Sequence, residues 1–489
     1  MKKNFIHILS FCALALIVIS CDSNPKAPAE PEMAEEPLTT EAKEEAPAPK
    51  PLTEMPYVIS VEKAATQPTD AYGIQSSAHG FNGTYLMMVG GRIQGFHGTA
   101  NADGVFDSKY SNDQITILNP STGDFKHMDL PEKYKLFLMS TNMEYYYDGT
   151  YLICVGGYGA YCTTCSPEQF KTFPRITAID FDKAVAAIES NNAADLEASM
   201  ITMKDERFRV TGGGLEKIGD YYYLVFGQDY DTIYIGGITG KYTEQIRKFK
   251  MDITPDAINI SDYEVFKDPS NITGPESQYH RRDLNLCSAI RPDGSEGISV
   301  LGGVFTKNDG GWVYPVLIDG DPTTTVEVYK NLEQKLSQYE CSLVSFFDPG
   351  TKTMFHTLMG GISFYFYQDG KLTPSTIDNW LPFTSSITTI VQNGAGMQEF
   401  PQEESQSMPK LMGSDAAFMP NPELNFSNEA KTIIDLSTIS GRTHVGWIFG
   451  GIDATAAQSD EFNPTSAGKE IYDVWLDLNT AKTTDATSH

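Results

Sequence analysis

The chain has 489 residues, with 64 Asp and Glu against 36 Lys and Arg, giving a formal net charge of −28 at pH 7. So negative a molecule repels phosphate backbones and anionic lipid heads, which excludes nucleic acid as a partner and charge-driven adhesion to acidic bilayers. Tyr, Phe, Gly and Thr are abundant and helix-forming runs are few; the length permits two or three domains, yet all-β folds often exceed the usual domain size as single units.

In chain order, Lys2 and Lys3 precede an apolar run over residues 5–19 that is too short to span a bilayer, which reads as a processing signal over residues 1–20. The run closes on Val18-Ile19-Ser20-Cys21, where a polar tail begins. This junction resembles a lipobox, the cleavage and lipidation site of bacterial lipoproteins. The resemblance implies cleavage before Cys21 and acylation of that cysteine; an ordinary secretory signal with a chance cysteine is the alternative. Several acyl chains on one residue bury enough methylenes for a stable anchor. Residues 21–55 are Pro-, Ala- and Glu-rich and too polar to offset chain entropy, so a disordered acidic tether is expected. The folded body spans 56–479, and 480–489 read as a disordered tail. Of seven cysteines, Cys12 lies in the signal and Cys21 at its end, leaving Cys154, Cys162, Cys165, Cys287 and Cys341. An odd number precludes a fully paired framework.

Within the body an apolar strand ending in two glycines recurs. The copies are Tyr85-Leu86-Met87-Met88-Val89-Gly90-Gly91, Tyr151-Leu152-Ile153-Cys154-Val155-Gly156-Gly157, Ile298-Ser299-Val300-Leu301-Gly302-Gly303, His356-Thr357-Leu358-Met359-Gly360-Gly361 and Val445-Gly446-Trp447-Ile448-Phe449-Gly450-Gly451. A degenerate copy reads Tyr222-Tyr223-Leu224-Val225-Phe226-Gly227-Gln228. Turn signals such as Asn82-Gly83, Asp148-Gly149 and Asp293-Gly294 stand before these strands and imply an antiparallel partner upstream. Alternating strands such as Gln114-Ile115-Thr116-Ile117-Leu118 follow downstream. Strand, turn, glycine-pair strand, loop, strand, turn, strand makes one propeller blade.

This order, with its glycine pairs, resembles the kelch repeat and the galactose-oxidase-like propellers. Within that class, Tyr242-Thr243-Glu244-Gln245-Ile246-Arg247 and His280-Arg281-Arg282-Asp283-Leu284-Asn285 look like a family of secreted Bacteroidota lipoproteins. The resemblance implies an all-β chain forming a single β-propeller of six kelch-like four-stranded blades. The sixth repeat is expected to use strands near residues 431–436, 444–450 and 471–478. Tyr57-Val58-Ile59-Ser60-Val61-Glu62 stands before the first repeat and supplies the missing outer strand, so the N-terminal strand closes the last blade. Residues 181–199 have helical spacing, with Asp182 as N-cap. Residues 373–425 read as a long irregular segment over one face.

Loops after the glycine pairs and loops entering each blade open on one face, the usual propeller ligand rim. His97, Cys162, Cys165, Asp229, Tyr230, His280, Arg281, Arg282 and Asp283 fall there. Two guanidinium forks beside a carboxylate and an imidazole suit a carboxylate or sugar ligand. Arginines entering such a blade also staple neighbouring loops, and strand alternation prevents Arg281 and Arg282 from pointing the same way. Cys162-Thr163-Thr164-Cys165 lacks a second ligand pair for zinc and a βαβ setting for redox work, so a local disulfide is expected. His79, His356 and His444 are expected to find local hydrogen bonds; no metal and no cofactor are expected. No nucleophile elbow, HExxH or phosphate loop is present. The expected function is a non-catalytic binding module, anchored in the cell envelope at the outer membrane through its N-terminal lipid. It would recognise an envelope protein, peptide or glycan through its loop rim. An epimerase or oxidase acting on sugars or sugar acids is the alternative on the same fold.

Overall fold

The computed structural model describes residues 50–96, 106–166, 168–234, 240–308, 310–320, 323–375, 381–458 and 464–479. Residues 1–20, Cys21, most of the tether, His97 and the tail lie outside them. The described chain forms six four-stranded antiparallel blades in a ring, a six-bladed β-propeller. From the axis outward, blade 1 is Ala78–Phe81, Leu86–Val89, Gln114–Leu118 and Phe125–Asp129, and blade 2 is Glu144–Tyr147, Tyr151–Val155, Pro174–Asp180 and Met200–Arg209. Blade 3 is Gly214–Ile218, Tyr221–Val225, Ile246–Ile253 and Ile258–Phe266, and blade 4 is Asn285–Ile290, Glu296–Leu301, Val316–Asp319 and Thr325–Val328. Blade 5 is Ser342–Asp348, Thr353–Met359, Ile387–Asn393 and Gly396–Pro401. Blade 6 takes Leu411–Pro420, Arg442–Ala454 and Tyr472–Leu478 from the C-terminal part and Tyr57–Lys63 from the N-terminal part.

That last pairing closes the ring. Tyr57–Lys63 runs antiparallel to Tyr472–Leu478, with Tyr57, Ile59 and Val61 turned into the core. Gln402 of blade 5 holds the closing strand from the side, accepting from the Ile59 amide at 2.7 Å and donating to the Ile59 carbonyl at 2.9 Å.

In five of the six blades the doublet binds its blade to the next. The amides of Gly91, Gly157, Gly227, Gly361 and Gly451 donate to the carbonyls of Ser140, Val210, Arg281, Met412 and Ile74 at 2.8–3.0 Å, each in the following blade. The residue before each donor turns into left-handed backbone to present that amide. At Gly156 (φ +69) a Cβ would lie 2.0 Å from the Val210 carbonyl oxygen, so a side chain there and the neighbouring blade exclude each other. Blade 3 departs from this pattern. Phe226 (φ 56) takes the first-glycine place and packs its ring on Tyr279 at 4.8 Å between centroids. The degenerate repeat is thus Phe226-Gly227, with Gln228 already beyond the pair.

Three sequence expectations need correction. The inner strand of blade 6 is Leu411–Pro420, whereas Ile433–Asp435 pairs in parallel with the inner strand of blade 5, on its axial side. The apolar run 431–436 looked like a blade strand because it is buried, but it belongs to a strap folded across the hairpin-turn face. Residues 373–425 are largely regular, carrying the two outer strands of blade 5 besides that inner strand. Residues 181–199 form two helices, Phe181–Ser190 and Ala193–Ala198, because Asn191 turns left-handed and Asn192 caps the second. The first cap is Asp180, whose side chain accepts from the Lys183 amide. Among the described residues no helix is long and apolar enough to cross a membrane.

Two alanine substitutions separate backbone strain from the blade contact. Gly149 (φ +93) has nothing within 4 Å of a built Cβ, so Gly149→Ala is expected to cost about 1–2 kcal/mol from its left-handed backbone alone. Gly156→Ala adds a clash with Val210 and is expected to cost roughly 3 kcal/mol or more in urea titrations.

Candidate functional site

Each chain entry into an inner strand has a residue in left-handed backbone at one equivalent position: Ser76, Asn142, Gly212, Asp283, Glu340 and Asp415, with φ between 44° and 69°. The chain turns there from the loop face into the channel wall. Their backbones link around the axis: Asn142 N–H donates to Ser76 O at 3.1 Å, Gly212 to Asn142 at 3.1 Å, Asp283 to Gly212 at 2.7 Å and Asp415 to Glu340 at 2.6 Å. The result is a collar of six positions, one per blade.

Below the collar the inner strands enclose an axial channel of about 380 Å³. Its wall carries Tyr145, Tyr146, Phe81 and Phe418, while Lys431 and Thr432 of the strap reach its far end. Above the collar a small cavity of about 60 Å³ lies among Tyr158, Tyr230, Tyr234, Gln228, Thr211 and Arg282, room for one or two waters. Asn142 and Gly212 line both cavities, so the collar is the constriction between them.

Three of the six collar side chains are carboxylic acids, all from blades 4 to 6. The Asp283 carboxylate faces the Arg282 Nε at 3.2 Å. Glu340 and Asp415 are hydrogen-bonded to one another, and Asp415 also reaches the Ser76 side chain. Asn142 Nδ2 donates to Glu340 Oε1 at 3.4 Å. Burial, and then repulsion from Asp415 and Asp283, holds Glu340 well above the usual carboxyl range. Burial likewise raises Asp283 and Asp415. The ring therefore gives up its protons at higher pH than isolated carboxyls do.

The candidate residues divide into separate groups. Tyr230, Arg282 and Asp283 meet: Arg282 Nη1 donates to Gln228 Oε1 and to Tyr230 Oη, both at 2.7 Å, beside its contact with Asp283. Arg281 points the other way, in among the loops of its own blade 4. It is fully buried and donates to the carbonyls of Gln278, Gly302 and Tyr314 at 2.7, 3.1 and 2.8 Å. His280 stacks on Tyr242 with centroids 3.6 Å apart and bonds Glu244 at 2.7 Å. Asp229 faces Arg209 at 4.0 Å, and burial pushes it up to about 6. Cys162 and Cys165 are joined sulfur to sulfur. His79, His356 and His444 sit in three different blades; His79 and His356 are hydrogen-bonded to Tyr145 and Ser345, and His444 faces Asp473 at 3.3 Å. Among the described residues no group of three His, Cys, Asp or Glu is arranged to hold a metal ion.

Ser76, Asn142, Glu340 and Asp415 escaped sequence reasoning. Ser76, Asn142 and Gly212 each stand fourteen positions before the first residue of their doublet, Gly90, Gly156 and Phe226, a spacing visible in the sequence. Longer hairpins in blades 4 to 6 break that spacing and hide the acidic half of the ring.

No protein-family model and no curated protein matches the chain. Among solved structures it is similar to one described as "Structure of YjhT", with 8% identity and a TM-score of 0.46, over 83% of this chain and 99% of that one.

Because the buried Arg281 satisfies three carbonyls of the blade 4 loops, Arg281→Ala should lower stability by on the order of 3 kcal/mol. Thermal unfolding compared with Arg282→Ala, whose guanidinium faces the small upper cavity, checks this: the Arg281 variant is the less stable of the two.

Proposed function

We propose that this chain is an envelope-anchored, non-catalytic binding propeller of kelch-like type, which admits the basic end of a peptide into its axial channel. The observation that carries this reading is the carboxylate collar closing the 380 Å³ channel. A lysine ammonium, an arginine fork or an amino terminus matches acceptors at Glu340 and Asp415, which line the channel while Asp283 lines the upper cavity, and the aromatic wall suits its methylene stem. The net charge of −28 draws cations toward the molecule. The sugar-enzyme alternative is not favoured: Arg282 is already engaged by Gln228, Tyr230 and Asp283, and burial lowers His79 to about 4, leaving it neutral beside Tyr145.

The kelch-like type is supported by the glycine pairs and the strand order. The anchor is supported by Val18-Ile19-Ser20-Cys21 ahead of a Pro-, Ala- and Glu-rich tether. Lipid on Cys21 would place the propeller at the outer membrane, with an envelope protein as the source of the peptide.

Calorimetric titration with short lysine-ended peptides tests the channel. Glu340→Gln with Asp415→Asn should weaken binding about tenfold or more, as should acylation of the peptide amine. Acidification should weaken it too, since protons then fill the raised carboxyls and cancel their charge. Affinity that survives the double substitution removes the collar from the site. For the anchor, Cys21→Ser should abolish incorporation of labelled palmitate and move the protein from the membrane fraction to the soluble one.

A further inference from the structure

Glu144 begins the inner strand of blade 2, two positions past collar residue Asn142, and is 2% exposed. Its Oε1 accepts the Gly213 N–H of blade 3 at 2.7 Å. Its Oε2 is buried with no group donating to it. A Cβ built on Gly156 would lie 3.1 Å from that Oε2 and 2.0 Å from the Val210 carbonyl oxygen, so both oxygens flank one point. Two buried acceptors facing one point repel unless a proton stands between them, and the Val210 carbonyl has a lone pair beyond the one taken by Gly157 N–H.

Blade 4 builds the same joint from an amide. Asn285 stands two positions past collar residue Asp283; its Oδ1 accepts the Cys341 N–H at 2.9 Å and its Nδ2 donates to the Gln338 carbonyl at 2.8 Å. Cys341 and Gln338 lie one position after and two before collar residue Glu340, as Gly213 and Val210 lie about Gly212. The site calls for one acceptor and one donor. A carboxyl supplies the donor only when protonated.

We propose that the seam between blades 2 and 3 is a proton-dependent latch, in which Glu144 stands as a neutral carboxylic acid that accepts from Gly213 N–H and donates its Oε2–H to the Val210 carbonyl. The charged groups facing it are Arg247 from the third strand of blade 3 and Asp283 from the collar. Arg247 donates to the carbonyls of Arg207 and Phe226 and to Thr243 Oγ1. Burial pushes the Glu144 carboxyl up to about 8, against the pull of the Gly213 amide and Arg247. With a folded value above the unfolded one, the contribution of Glu144 to stability is complete below the ordinary carboxyl range and is lost as pH rises through about 8. Ionisation then places a repelling pair beside the collar bond from Gly212 to Asn142. The latch stands independently of the peptide-binding reading, since its test involves no ligand.

The test follows urea unfolding of the full chain from about pH 5 to pH 9. Glu144→Gln keeps one acceptor and one donor, so it should fold as well as the wild type at pH 5. Between the two pH values the wild-type unfolding constant should rise at least about thirtyfold relative to the variant. Asn285→Asp should introduce the same dependence at the blade 4–5 seam. In the wild type, exchange of the Gly213 amide should accelerate above pH 8 beyond its intrinsic rate. Parallel pH profiles for wild type and Glu144→Gln overturn the proposal. Should that variant not fold, an infrared carbonyl band of a protonated buried glutamic acid at pH 6, absent from Glu144→Ala, decides in its favour, and no such band overturns it.

Discussion

Everything in this propeller depends on how near one blade's backbone comes to the next. Where the second strand of a blade ends, a carbonyl of the following blade occupies the space that a side chain would fill, and an amide is presented to meet it. At Gly156 that approach leaves only 2.0 Å for a Cβ. The contact fixes the spacing of the sheets near the axis, and with it the width of the channel and the position of the collar. Burial of Val, Ile and Leu between sheets supplies most of the favourable energy, but it is non-directional. The amide-to-carbonyl bonds set the register of blade on blade.

The collar is a consequence of that spacing. With neighbouring inner strands so close, the chain enters each one through a left-handed turn, and five of the six residues there are not glycine. Such backbone costs on the order of 1 kcal/mol or more for each side-chain-bearing residue. Four tangential hydrogen bonds brace the conformation, and the same turn brings the side chains of Asp283 and Asp415 to Glu340. Arg282 ties this group of acids to the aromatic cavity above it, while its neighbour Arg281 braces the loops of blade 4. Adjacent arginines thus perform unrelated tasks because alternation along an extended chain turns them opposite ways.

Much of this was legible in the sequence. The doublets announced the blades because their conformation is nearly obligatory for glycine, and the unpartnered strand at residues 57–62 announced the closure. What stayed hidden depended on distance in space. Phe226 passed for an ordinary strand residue, since only Tyr279 makes room for its ring. The strap strand Ile433–Asp435 mimicked a blade strand because burial by another blade leaves the same apolar signature. Among candidate residues, those next to a doublet or in a charged run were found. Glu340 and Asp415 were not, because nothing local distinguishes an acid at the axis from an acid in water.

The strap has a further effect on what the tube can do. Ile433–Asp435 pairs along Ser345–Phe347 on the axial edge of blade 5, so among the described residues the inner strand of that blade has a neighbour on both sides while the other inner strands keep one edge toward the axis. Unpaired strand edges are ready to accept an added chain, and the strap has taken up that capacity on one side of the tube. The six blades are therefore not equivalent around the axis.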